Sequence, residues 1–258
     1  MHLFFPALLA AAMATPLPAS THPAGRGQPG PVKNVVLVHG AFADGSGWRG
    51  VYDELTARGY RVTIVQNPLT SLADDVAATR RALDRQDGPA ILVGHSWGGT
   101  GITEAGVHDK VAGLVYVSAL APDQGQTTAQ QYEGFAATPE FVIDVHPDGI
   151  GYLDGPKFKA GFAADASDAD AAFLRDSQVP ITMAAFETPV QHAAWRSRPS
   201  WAVIATRDKA FDQAMLVHMA EGIGAPITFV DASHALYFTR PRAVADARDA
   251  AAKGSVRR

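Results

Sequence analysis

The 258-residue chain contains no cysteine. Disulfides, thiolate nucleophiles and cysteine-ligated metals are therefore excluded, whereas an oxidising compartment is not, because such compartments permit disulfides without demanding them. Positive charge is also scarce: 22 Lys and Arg stand against 26 Asp and Glu, the formal net charge is -4 and the pI is near 6.1. No Lys/Arg run interleaves with aromatics as binding to a phosphate backbone requires, so nucleic acid is not an expected partner. The apolar stretch Leu3 to Ala14 is shorter than the roughly 20 residues that span a bilayer, and stable membrane insertion is not expected.

What is present is a 47% hydrophobic chain, long enough to bury one sizeable core and short for two. A single domain with an insertion is expected. Leu3 to Ala14, followed by the turn-forming and small residues Thr15 to Ser20, resembles a secretory signal with its cleavage region, which predicts a periplasmic or secreted protein with a signal over residues 1–20. Its leading segment carries His2 but no Lys or Arg, so a leader on a cytoplasmic protein is the alternative. Residues 21–31 are rich in Pro, Gly and polar residues and read as a linker.

From Val32 onward, short apolar runs alternate with amphipathic stretches, the pattern of βα units around a mainly parallel sheet. Candidate strands are Asn34–Val38, Val62–Val65, Ala90–Val93, Val111–Val117, Trp201–Ala205 and Ile227–Val230. They are continuous and β-branched, as strands covered on both faces should be. Ser71 followed by Asp74 predicts a capped helix to about Leu83, with Leu72, Val76, Thr79 and Leu83 on one face. Pro241 suits the first turn of a last helix to Ala252. The α/β rhythm breaks over 121–199, where Phe135, Phe141, Phe158, Phe162, Phe186 and Trp195 lie on weak helical patterns. This stretch is expected to be a mostly helical cap inserted into a core of residues 32–120 and 200–258. Any one of its aromatics could simply pack cap onto sheet; together they suggest an apolar roof over a pocket.

Gly94-His95-Ser96-Trp97-Gly98 follows the strand Ala90–Val93 and precedes a plausible helix from Thr100 to Ala105, the context in which G-x-S-x-G presents a serine on a sharp turn. A serine hydroxyl needs an adjacent base. Of nine histidines, His234 is placed best, after the last strand and at the same sheet edge as Ser96. His39 and His95 flank the site and read as structural or pocket-lining. Orienting the imidazole asks for a carboxylate. Asp208, beyond the strand Trp201–Ala205, is preferred to Asp123 from its place in the order Ser, Asp, His, and Asp231 lies too near His234 in sequence for a useful angle. An oxyanion needs backbone donors: Trp97 is one candidate and Ala41 the other, with Phe42 the neighbouring alternative. Phe42, Phe186 and Trp195 are candidate substrate-binding residues.

The stretches Val36-Leu37-Val38-His39-Gly40-Ala41, Leu92 to Gly99, Thr206-Arg207-Asp208-Lys209 and Ser233-His234 resemble the α/β-hydrolase superfamily, within it the branch of plant methyl-salicylate-type esterases, hydroxynitrile lyases and bacterial esterase relatives. The likeness covers nearly everything from Val32 onward except the cap in detail. It implies an α/β-hydrolase fold, a Ser-Asp-His triad, no metal and no organic cofactor. In the lyases a lysine follows the catalytic histidine and a threonine follows the histidine of the oxyanion strand; here Ala235 and Gly40 stand there. The expected activity is hydrolysis of small or medium hydrophobic carboxylic esters through an acyl-enzyme. Lactone hydrolysis, perhydrolysis and ligand binding on a hydrolase scaffold are the alternatives.

Overall fold

Asn34-Val35-Val36-Leu37-Val38 is buried at every position, so this strand must be covered on both faces. In the computed structural model, which describes residues 32–255, it is β1 (Asn34–Val38) of a six-stranded sheet. The chain continues through α1 (Arg49–Ala57), β2 (Arg61–Val65), α2 (Leu72–Asp84), β3 (Ala90–Ser96), α3 (Gly98–Ala105) and β4 (Val111–Ala119). The insertion follows, with β5 (Ile143–Val145), β6 (Ile150–Leu153), α4 (Phe158–Phe162), α5 (Asp168–Asp176) and β7 (Ile181–Thr182). Then come β8 (Ser200–Ala205), α6 (Gln213–Gly222), β9 (Ile227–Val230), α7 (Leu236–Thr239) and α8 (Pro241–Ser255). The expected signal and linker, residues 1–20 and 21–31, lie outside the described residues. Among the described residues no helix is long and apolar enough to cross a membrane.

The large sheet runs β2-β1-β3-β4-β8-β9, and all five pairings are parallel. From β1 the chain moves outward to β2 and then returns to place β3 on the other side of β1. Strand order therefore reverses between β1 and β3, and an open α/β sheet forms its crevice at the carboxyl ends of such neighbours. Register makes those ends level, with Val38 opposite Gly94. Two apolar clusters cover the two faces, one around Val35, Leu37, Ile91 and Val93, the other around Val36, Val38, Leu92 and Leu114.

Helix α2 begins where expected. Ser71 is extended and its Oγ accepts from the Asp74 N–H at 3.1 Å, satisfying a donor that the first turn leaves free. Leu72, Val76, Thr79 and Leu83 are buried as their spacing predicts, and Asp75 is buried among them, a charged residue that the apolar stripe did not anticipate.

The insertion carries helical segments, α4, α5 and short 3-10 turns at Ala129–Tyr132, Met183–Glu187 and Ala194–Arg196. It adds to them an antiparallel sheet in the order β5-β6-β7, which the sequence pattern did not show. Its hairpin turns at Pro147-Asp148-Gly149: Gly149 has φ +82°, and the Asp148 carboxylate accepts from the Ile150 N–H. Strands of two to four residues are too short to show an alternating pattern, which is why helix dominated the sequence pattern here.

Candidate active site

Ser96 ends β3 with φ +53°, a conformation that costs a non-glycine residue energy and persists only where the surroundings enforce it. The enforcement is visible in the flanking glycines. A Cβ on Gly94 would lie 2.6 Å from the Gly98 carbonyl oxygen, and one on Gly98 would lie 2.6 Å from that of Val38. Only bare backbone lets strand, turn and α3 approach so closely.

His234 follows β9, and its loop is fastened to the loop after β8. The Thr206 N–H bonds to the Val230 carbonyl at 2.9 Å and that of Arg207 to Ala232 at 3.0 Å. These bonds bring Asp208 beside the imidazole, where Asp208 Oδ2 lies 2.8 Å from His234 Nδ1 with both side chains fully buried. The other carboxylate oxygen accepts from the N–H groups of Ala210 and Phe211. An acceptor-only carboxylate at Nδ1 assigns the proton to that nitrogen and leaves a lone pair on Nε2, which has no hydrogen-bond partner among the described residues. The competing carboxylates are engaged elsewhere, Asp123 with Arg196 and Asp231 with Arg207.

His95, the residue before Ser96, fastens the end of β3 to the His234 loop. Its Nε2 donates to the His234 carbonyl at 3.0 Å, and its ring lies 4.5 Å from the His234 ring. Burial, and then the neighbouring His234, hold its pKa well below the ordinary histidine value. His39 plays a comparable part after β1. Nδ1 donates to the Gly40 carbonyl, Nε2 accepts from the Asn67 N–H, and Asn67 Nδ2 donates to the His39 carbonyl, each at 2.9 Å. Burial lowers its pKa as well. Both histidines are therefore neutral braces. His39 fixes the loop Gly40-Ala41-Phe42, in which Phe42 has φ +58°. That loop abuts Ser96 so closely that a Cβ on Gly40 would lie 2.7 Å from Ser96 Cβ. Ala41 and Trp97 are buried beside it, and neither donates its N–H in the loop and turn bonds among the described residues.

A family model described as the alpha/beta hydrolase family matches residues 35–247. The chain belongs to the alpha/beta hydrolase family. It is 30% identical over 217 residues to the alpha/beta hydrolase nvfD of Aspergillus novofumigatus, covering 74% of this chain and 84% of that one. It is also 38% identical to a pyrethroid hydrolase of Sphingobium wenxiniae over a shorter stretch of 109 residues, 37% of this chain and 39% of that one. The crystal structure of the pyrethroid hydrolase PytH with BIF superposes with a TM-score of 0.75 at 25% identity, over 86% of this chain and 98% of that one.

In this alpha/beta hydrolase, the predicted pocket residues divide. Phe186 packs on Trp97, its ring 5.1 Å from the indole, and Phe42 packs edge-on against Phe141. Trp195 does not join them: its indole N–H is tied to the Pro122 carbonyl, Arg196 lies over its ring, and it packs with the cluster on the other face of the sheet. The rings that surround His234 are instead Phe211 at 4.9 Å, Phe162 at 5.2 Å and Phe141 at 6.2 Å. Phe141 and Phe162 belong to the aromatic-rich insertion, but nothing in their spacing distinguishes them from Trp195. Phe211 had one available signal, its place three residues after Asp208.

Proposed function

We propose that this chain is a carboxylic-ester hydrolase using Ser96, His234 and Asp208. The observation that carries the reading is the buried 2.8 Å contact of Asp208 with His234 Nδ1, which leaves Nε2 free to act as a base in the loop braced against the Ser96 turn. Ser96 Oγ attacks the ester carbonyl carbon as its proton passes to His234 Nε2, and the negative charge on the carbonyl oxygen is met by the N–H groups of Ala41 and Trp97. The C–O bond to the leaving group then breaks, and His234 returns the proton to the departing alkoxide. Water repeats the sequence on the acyl-enzyme, releasing the acid and restoring the Ser96 hydroxyl.

Phe141, Phe162 and Phe211 around the imidazole support a hydrophobic ester of small or medium size. Ala235 favours hydrolysis over the lyase alternative, since no lysine follows His234 to stabilise a departing cyanide. The names of the pyrethroid hydrolase relatives point to the same chemistry. Hydrolysis of a short-chain aryl ester by wild type and Ser96→Ala tests the reading. A loss on the order of 10⁴-fold is expected, and comparable rates would end it. We propose further that residues 1–20 direct export; an intact Met1 on protein recovered from its native host would refute that.

A further inference from the structure

Asp75 is a buried carboxylate outside the three residues that carry the proposed chemistry, and it sits on the apolar face of α2. Its two oxygens hold two different parts of the site. Oδ2 accepts from the Trp97 indole N–H at 2.7 Å, and Oδ1 accepts from the Leu69 backbone N–H at 2.8 Å. Leu69 has φ +58°, and its carbonyl accepts from the N–H of Thr182 in β7 at 3.0 Å. One carboxylate thus links the residue after Ser96 to a strand of the insertion.

We infer that Asp75 is a positioning residue for the oxyanion site, acting through Trp97. The inference rests on the ester-hydrolase reading, in which the Trp97 N–H faces the developing charge. Trp97 is held at its backbone by the Thr100 N–H on its carbonyl at 2.9 Å. Its side chain is held at the ring by Phe186 and at the indole N–H by Asp75. Without the carboxylate, a buried indole donor loses its partner and the ring is released to seek another, which moves the backbone to which it is attached. Oxyanion donors act by preorganisation, so a displacement too small to unfold the protein still raises the barrier.

The test is a double-mutant cycle with Asp75→Asn, Trp97→Phe and the double variant, assayed on a short-chain aryl ester. Affinity is measured in parallel for a trifluoromethyl ketone that forms a tetrahedral adduct with serine. Asparagine presents an amide N–H where one of two donors needs an acceptor; phenylalanine keeps an aromatic ring but removes the indole N–H together with the pyrrole half of the side chain. Each single variant is expected to lose roughly 10- to 100-fold in kcat. Ketone affinity should fall by a similar factor, and KM of Trp97→Phe should stay within about threefold. The double variant should lose less than the product of the two single losses, because both substitutions act on the same Asp75–Trp97 contact. Losses that multiply in the double variant, or a lowered Tm with kcat and ketone affinity intact, would overturn the inference. Ser96→Ala serves as the separating control. Retained activity there refutes the serine mechanism itself, whereas its inactivity together with an unaffected Asp75→Asn refutes only the role of Asp75.

Discussion

At the scale of single residues, the constraint that bears on Ser96 itself falls on a position that carries no side chain. A Cβ on Gly40 would meet Ser96 Cβ at 2.7 Å and the His95 carbonyl oxygen at 2.9 Å, and the second of these is backbone that cannot rotate away. Gly40→Ala must therefore push the Ala41 loop away from Ser96 or shift the Ser96 turn. Overpacking of this kind costs about 1–3 kcal/mol. We expect a modest fall in the denaturation midpoint together with a drop in kcat of at least about 10-fold, since the loop is displaced relative to the reacting atoms. Full activity would mean that the loop yields without consequence. The same scale shows what a sequence conceals. Asp208 and Asp123 both follow strands at the same sheet edge, and order along the chain favoured Asp208. The physical distinction is burial against His234 for one and an Arg196 ion pair for the other, which depends on how distant loops meet.

At the scale of elements, strands and capped helices were the most legible. β1 and β9 have the bounds that their apolar runs predict, and α2 starts directly after Ser71 because the cap is encoded within four residues. β3 runs on to Ser96 because its pairing with β4 continues past the apolar segment, reaching Ser96 opposite Ala119. The insertion was less legible, its hairpin being made by a turn and a few paired residues. Its attachment to the core uses buried carboxylates that periodicity does not reveal. Glu104 on α3 accepts from the N–H groups of Gln191 and His192, clasping the end of the insertion. Asp165, after α4, accepts from the hydroxyls of Ser233, just before His234, and Thr239, the last residue of α7. Asp165→Ala takes the acceptor from the Thr239 hydroxyl and the nearer of two acceptors from the Ser233 hydroxyl, and leaves Arg240 without its carboxylate. Destabilisation of about 1–3 kcal/mol is expected, with kcat reduced through a looser His234 loop. Unchanged melting and turnover would show that the loop is held without Asp165, by the Ala235 N–H bond to the Phe162 carbonyl and the His95 bond to the His234 carbonyl.

At the scale of the whole molecule, the buried titratable groups set how stability depends on pH, and their signs oppose. His39 and His95 are kept neutral by burial, with pKa values below the 6.5 of an ordinary histidine. The unfolded chain protonates both as pH falls through about 6.5, and the folded chain does so only at lower pH, so unfolding takes up protons and stability declines on acidification. Asp75 acts the other way: burial, against the opposing hydrogen bonds from Trp97 and Leu69, pushes its pKa up to about 6 from 3.8. Between those values the folded state holds a proton that the unfolded state has lost, which offsets one histidine as pH falls from 6 towards 4. Two histidines against one carboxylate leave a net loss of stability on going from pH 7 to pH 5. Each uncompensated proton contributes a slope of about 1.4 kcal/mol per pH unit. Guanidinium denaturation of Ser96→Ala at these two pH values separates folding from turnover, with a lower midpoint expected at pH 5. Asp75→Asn should steepen the decline below pH 6 by removing the offset, and a shallower decline in that variant would contradict the burial of a titrating carboxylate beneath Trp97.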